Sequence, residues 1–211
     1  DFGCFSFHAQ KNLTTLGEGG MLTVRDESTA ALVPGLRQNG HRPYPADRDC
    51  YWLPAMVNTD FDIDGVWPYK LSLGEVQCAL GSQLIGKLDE ITEKRNRDAK
   101  RVIATVENYP ELSFQRIPIG STHSYHLLSV RYDGEDGKNR DDLIRLLAFK
   151  HHIQAIIQYY PLYRYPLFVQ SGYGDATCPN TDDFYDNMLS LPFYPWFSND
   201  DFDYLSECLI E

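Results

Sequence analysis

From Leu73 to about Val106, the apolar residues Leu73, Val76, Leu80, Leu84, Leu88 and Ile91 recur at three- and four-residue spacing. That period gathers side chains on one face of an α-helix, and a helix carrying such a stripe must lay it against other elements. Its second half is charged: Glu90 to Lys94 and Glu93 to Arg97 stand at i,i+4 in the favourable order, so the run Glu93-Lys94-Arg95-Asn96-Arg97 reads as a solvated face. Pro110 ends the pattern.

What flanks this helix alternates between strand and helix patterns. Upstream, Phe2 to Phe7 is an apolar strand-like run, followed by the turn Gly17-Glu18-Gly19-Gly20, a second strand at Met21 to Val24, and a helix from Ser28 to Arg37 that Gly40 closes. Between Gly40 and Pro68 the composition shifts to Pro, Asp, Tyr and Trp without periodicity, which reads as a long ordered loop. Downstream come strands near Ser113–Ile117 and Tyr125–Tyr132, a helix from Arg140 to His151, a strand at Ile153–Gln158 and a Tyr/Pro-rich loop to Tyr173. Helical stretches at Thr181–Leu189 and Asn199–Leu209 flank the short run Leu191-Pro192-Phe193. Strands alternating with helices argue for an α/β unit.

Composition narrows the function classes. Thirty acidic against nineteen basic side chains leave a net charge of −11, a field that repels phosphate backbones and anionic lipid, so nucleic acid is a poor partner. No run approaches the roughly 20 apolar residues of a spanning helix, and a soluble, cytoplasmic protein is expected. Five scattered cysteines, Cys4, Cys50, Cys78, Cys178 and Cys208, contain no CxxC pair and propose neither a disulfide framework nor a zinc ribbon. The six histidines do not pair at metal-ligand spacing: His123 and His126 fall on opposite faces of a strand-like run, and His151 and His152 are adjacent. No metal site is expected. Asp60, Asp62, Asp64 and the Gly65 that follows copy the opening of a calcium loop, but no glutamate stands at the twelfth position, so a capping and turn-forming acidic loop is the reading. Gly17-Glu18-Gly19-Gly20 lacks the Lys-Ser/Thr of a Walker loop and carries a carboxylate where a phosphate cradle has none.

What remains is Ser6-Phe7-His8-Ala9-Gln10-Lys11-Asn12. A lysine amine held near a carbonyl can act as a covalent catalyst, and a serine hydroxyl five residues earlier can bond a phosphate oxygen. The string from Phe5 to Met21, FSFHAQKNLTTLGEGGM, resembles the Schiff-base segment of the DegT/DnrJ/EryC1/StrS sugar aminotransferases, fold-type-I enzymes that use pyridoxal 5′-phosphate. Leu36 to His41 is similar to that family's arginine/glycine loop, and Tyr69 to Gly81 to the stretch opening its long helix. Ile153 to Leu162 and Leu189 to Phe193 are similar to its C-terminal domain.

The resemblance implies an α/β fold made of the end of the large cofactor domain (1–70), a long connecting helix (71–107) and a small C-terminal α/β domain (108–211). It implies that Lys11 forms the Schiff base and carries the proton between the amino donor and the cofactor, and that Ser6 binds the cofactor phosphate. Lys70 stands where the family has an asparagine that reaches the neighbouring subunit's phosphate; an ammonium can replace that donor. Ser72 stands in place of an arginine, and Lys11 in place of the histidine of related 3-dehydratases, which favours amino transfer. Candidate substrate contacts are His8, Tyr69, Tyr159 and Arg164, with packing or a dimer interface as the other role for the Tyr/Pro loop. In the family the acid facing the pyridine nitrogen and the group stacking on its ring come from upstream of the lysine, so the chain is expected to be the C-terminal half of a longer enzyme. The expected activity moves an amino group from glutamate or glutamine to a keto-sugar, a nucleotide sugar or a sugar phosphate, in a homodimer. The alternative is a non-catalytic sugar-binding or structural piece.

Overall fold

The structure, a computed structural model, describes residues 1–41, 44, 46–48, 52 and 66–211. Asp60, Asp62, Asp64 and Gly65, Cys50, and most of the loop between Gly40 and Pro68 lie outside the described residues. The chain divides into two compact units, Asp1–Leu88 and Asp89–Glu211, and the division falls inside the segment read as one connecting helix.

In the first unit, β1 (Phe2–Ser6) and β2 (Gly20–Val24) form an antiparallel hairpin with Phe2 opposite Val24 and Ser6 opposite Gly20. Phe2, Phe5, Met21 and Leu22 are exposed. Helix α1 (Glu27–Arg37) begins where the Asp26 carboxylate accepts the Thr29 amide at 2.7 Å, the usual way a short acid satisfies an orphan N–H. It ends at Asn39 and Gly40, both at positive φ, and the Gly40 amide donates back to the Gly35 carbonyl, a left-handed closure that a glycine makes easily. Helix α2 (Glu75–Ile85) buries none of its residues, and Val76 and Ile85 on it are exposed.

The long periodic segment is therefore two helices. Gly86 follows Ile85, the Lys87 amide reaches back only three residues to the Leu84 carbonyl, and a new helix, α3 (Leu88–Thr105), starts. Glycine lowers helix propensity enough to end α2 where the three-residue hydrogen bond tightens the last turn.

The second unit continues with β3 (Leu112–Phe114), β4 (Leu128–Tyr132) and α4 (Arg140–Phe149). A helical turn at Leu162–Arg164 follows, then the three-residue α5 (Pro166–Phe168), a wider turn at Val169–Tyr173, α6 (Pro179–Asn187), β5 (Met188–Leu191) and α7 (Asn199–Leu209). The sheet has the order β3-β4-β5, antiparallel throughout, with Leu112 opposite Tyr132 and Val130 opposite Leu189. Leu128, Val130, Leu189 and Leu191 meet Ala99 and Val102 of α3, Leu143 and Leu147 of α4, and Phe202, Leu205 and Leu209 of α7 in one apolar core. Both α4 and α7 open with capping boxes, Asn139 with Asp142 and Ser198 with Asp201, each pair satisfying two donors at once.

Arg95 departs most from the sequence pattern. It was expected on a solvated face, yet it is 6% exposed, because it lies four residues after Ile91 and four before Ala99, in phase with the apolar stripe. Its guanidinium donates to the carbonyls of Tyr125 (2.7 Å), His126 (3.1 Å) and Phe193 (3.3 Å) and lies over the Phe193 ring. Burial pulls its pKa down. Lys94 is paired with Asp98 at 2.6 Å, one turn on from the pairing with Glu90 that the sequence favours.

Two strands are shorter than the alternation predicts. The carbonyls of Tyr125 and His126 are taken by Arg95, and Tyr125 has φ of 43°, so β4 begins only at Leu128. Ile153 and Ala155 are buried and their neighbours exposed, as in a strand, but among the described residues the only ladder bonds from this stretch join Ile156 and Ser190. Pro161 has no amide to extend them. The following Tyr/Pro segment, read as loop, contains the short helical turns between Leu162 and Tyr173.

Leu128→Ala is expected to lower unfolding free energy by about 2–5 kcal/mol through the cavity it leaves, and Asn139→Ala by about 1 kcal/mol through the lost cap. Chemical denaturation followed by far-UV circular dichroism checks both; a loss below that of the cap variant for Leu128→Ala would show that this core collapses around the gap.

Candidate active site around Lys11

The hairpin ladder does not stop with its strands. The Phe7 amide donates to the Gly19 carbonyl and the Ala9 amide to the Gly17 carbonyl, both at 2.7 Å, so the chain between Ala9 and Gly17 is a closed loop on a two-strand stem. Inside it the Lys11 amide donates to the His8 carbonyl at 2.9 Å, and the Thr15 amide returns to the Phe7 carbonyl at 3.0 Å. Lys11 is thus carried on a turn pinned at both ends to Phe7 and His8. Leu16 and Gly17, at φ of 63° and 120°, make the reversal; such angles suit glycine and strain most other residues.

Ser6 ends β1 and His8 and Lys11 follow it at the foot of this loop, joined by backbone amides: His8 to the Ser6 hydroxyl and Lys11 to the His8 carbonyl. The Ser6 hydroxyl oxygen accepts the His8 amide at 3.3 Å, and the side chain is exposed at the end of β1; its own proton is left to donate outward. The His8 ring is oriented from two sides. Its Nδ1 accepts the Gln10 amide at 3.2 Å, and Nε2 stands 3.7 Å from the Glu18 carboxylate. An accepting Nδ1 places the proton of the neutral ring on Nε2, facing Glu18. The carboxylate that argued against a phosphate cradle in the glycine turn is therefore the partner of a histidine. Thr14 Oγ1 is buried with no hydrogen-bond partner among the described residues.

Tyr69 and Lys70 are placed by α1. The Tyr69 amide donates to the Leu36 carbonyl, its carbonyl accepts the Asn39 amide, and the Leu71 amide donates to the Arg37 carbonyl, with Lys70 bridged to Gln38. Ser72 Oγ bonds the Gln38 side chain. Both Tyr69 and Lys70 are exposed.

Tyr159 and Arg164 belong to the second unit. Tyr159 is exposed, and its hydroxyl accepts from Gln158. Arg164 bonds Asp182, stands 3.5 Å from Asp186 and lies over the Tyr185 ring, and Tyr163 donates to Asp182 at 2.6 Å, which pushes its phenol up to about 12. The contacts of Arg164 are those of a packing residue that holds α6. Among the described residues there is no group of three or more side chains able to hold a metal ion, and no helix long and apolar enough to cross a membrane.

The model of the DegT/DnrJ/EryC1/StrS aminotransferase family matches residues 1–210. The chain belongs to this family. It is 31% identical over 212 residues to the spore coat polysaccharide biosynthesis protein SpsC of Bacillus subtilis, covering 99% of this chain and 53% of that protein. It is 28% identical over 209 residues to the UDP-4-amino-4,6-dideoxy-N-acetyl-beta-L-altrosamine transaminase of Campylobacter jejuni, covering 99% and 51%. Its fold is that of the aminotransferase TlmJ from Streptoalloteichus hindustanus, with a TM-score of 0.79, 25% identity and coverage of 99% of this chain and 51% of that one. The fold of Helicobacter pylori PseC, an aminotransferase involved in the biosynthesis of pseudoaminic acid, matches with a TM-score of 0.81 at 22% identity, over 99% and 52%. The chain spans about half the length of the curated relatives it matches.

Because α1 positions the Tyr69–Lys70 segment, its cap is a measurable handle on this part of the site. Hydrogen bonds from Ser28 and Thr29 pull the Asp26 carboxyl down from its ordinary 3.8 to about 2. A carboxyl depressed on folding contributes stability above its unfolded value and loses it as pH falls through the folded one. The stability difference between the protein and Asp26→Asn, which keeps an acceptor oxygen but does not ionise, is expected to be constant above about pH 4 and to change between about 4 and 2. Denaturant unfolding of both proteins across that pH range, with NMR titration of the Asp26 carboxyl in the unsubstituted one, checks the window.

Proposed function

We propose that this chain carries the lysine-bearing half of a pyridoxal-phosphate-dependent aminotransferase that moves an amino group from glutamate or glutamine to a keto-sugar, presented as a nucleotide sugar or a sugar phosphate. The observation that carries the reading is Lys11 on a backbone loop closed at both ends, with the Ser6 hydroxyl at its foot. Family membership over residues 1–210 supports it.

The residues present fit the aldehyde and phosphate ends of the cofactor. Ser6 keeps a donatable proton toward solvent while its oxygen is occupied by His8, and Thr14 has a buried hydroxyl oxygen without a partner among the described residues. In a chain of net charge −11, a phosphate dianion needs such local donors, and Lys70 adds a cationic group to them. When bound, pyridoxal phosphate supplies the aldehyde that condenses with an amine and the electron sink that stabilises negative charge at the donor's α-carbon.

The chain's own side chains then divide the work. Lys11 Nζ would carry the proton from the α-carbon of the amino donor to the cofactor's C4′ in the first half-reaction, and from C4′ to the sugar carbon being aminated in the second. Ser6 and Lys70 hold the phosphate, Lys70 toward a second subunit in a homodimer. The His8 ring, fixed between Gln10 and Glu18, and Tyr69 face the sugar.

Borohydride reduction of the purified protein is expected to add one pyridoxyl-phosphate mass, mapping to Lys11. Lys11→Ala is expected to take no adduct and to show no transfer from glutamate or glutamine to any keto-sugar. A protein that binds nucleotide sugars equally well with and without Lys11, and takes no adduct, would instead be the non-catalytic sugar-binding piece.

A further inference from the structure

Thr15 is the one buried residue between Phe7 and Gly19, at 1% exposure, although its neighbour Leu16 is exposed. Its amide and its hydroxyl both point to the Phe7 carbonyl, at 3.0 and 3.4 Å. The side chain fits only because two glycines face it. A Cβ on Gly19 would stand 2.1 Å from Thr15 Oγ1, and a Cβ on Gly81 would stand 3.1 Å from Thr15 Cγ2. Gly81 lies inside α2, where glycine is a worse helix former than alanine; helix stability does not account for it, whereas room for the Thr15 methyl does. Leu73, just before α2, also closes on Gly19, within 3.2 Å of the same notional Cβ.

We propose that Thr15 and Gly81 form a seat on α2 that sets the position of the Lys11 loop, which makes both of them positioning residues for the lysine amine. Lys11 lies between the two places where the loop is tied to Phe7 and His8, so a displacement of Thr15 is transmitted along four residues to Lys11. Interiors packed this closely answer an added methyl by shifting rather than by compressing. Gly81→Ala moves Thr15 by a few tenths of an ångström, and Thr15→Ser, which deletes the methyl and keeps the hydroxyl, removes the collision. The inference rests on the aminotransferase reading of Lys11.

The test compares holoenzyme, Gly81→Ala and Gly81→Ala/Thr15→Ser by the rate of borohydride trapping at Lys11, by the pH midpoint of the cofactor's visible band, and by kcat and KM. Since a misplacement of about 1 Å costs about a hundredfold, Gly81→Ala is expected to slow trapping and lower kcat by about threefold, with KM unchanged and the pH midpoint displaced. The double variant is expected to recover most of the loss. Amide exchange at Thr15 in the cofactor-free protein should quicken in the single variant and return in the double. Wild-type trapping and midpoint in Gly81→Ala, or a double variant no closer to wild type than the single, would overturn the proposal. If Gly81→Ala does not fold, Thr15→Ser in the unaltered background decides, because it removes the methyl that rests against Gly81 and keeps the hydroxyl bond to Phe7: a displaced midpoint supports the seat and an unchanged one overturns it. A wild-type protein that takes no adduct at Lys11 removes the aminotransferase reading itself, and the seat with it.

Discussion

One carbonyl, that of Phe7, organises the first unit. It is the first residue past the strand, and it accepts both the amide and the hydroxyl of Thr15 while its own amide completes the ladder to Gly19. Those bonds turn thirteen residues that have no regular structure of their own into a closed loop with one solution. A lysine on an open loop would sample many positions, and the entropy of ordering it would be charged to every catalytic cycle. Here the ordering is done on folding. The hairpin that carries the loop is itself narrow, two strands with Phe2, Phe5, Met21 and Leu22 exposed, and a two-stranded hairpin is marginal in water. The site's rigidity therefore comes from the loop's internal bonds and its contact with α2, more than from the sheet.

In the second unit a charge plays the corresponding part. Arg95 sits among apolar residues, and such a position is tolerable only when the donors are matched by acceptors. Three carbonyls from two separate segments supply them, and so the approach to β4 and the segment after β5 are tied to one helix. Three other arginines of this unit serve similarly in an acidic chain. Arg131 joins Asp133 and Asp183, and Arg140 lies over Tyr185 and bonds its carbonyl, while Arg164 holds Asp182. Arg164, the one arginine named as a candidate substrate contact, is among those that hold α6.

Features governed by neighbours a few residues away were legible in the sequence. The left-handed closure after α1 and the glycine turn of the hairpin were read from it, and the capping boxes at Asn139 and Ser198, which were not, follow from the same local chemistry. Periodicity found a stripe that runs along α2 into the start of α3 but not the break at Gly86, because a glycine within a helical pattern, such as Gly81 inside α2, does not by itself mark a stop. It also hid Arg95, which a strict phase count along Ile91, Arg95 and Ala99 would have placed inside. The stretch Ile153 to Gln158 shows the opposite case: alternation is present, yet pairing with β5 is confined to Ile156.

The sequence by itself determined the family, singled out Lys11 and Ser6 through that resemblance, and set the glycine turns, since each depends on residue identity at short spacing. Only the tertiary structure decided that Arg95 is buried, that Arg164 is bound to α6, that Glu18 orients His8, and that Thr15 rests between Gly19 and Gly81. Those outcomes depend on contacts between residues far apart in the chain, where a charge or a small side chain has no fixed meaning until its neighbours are in place.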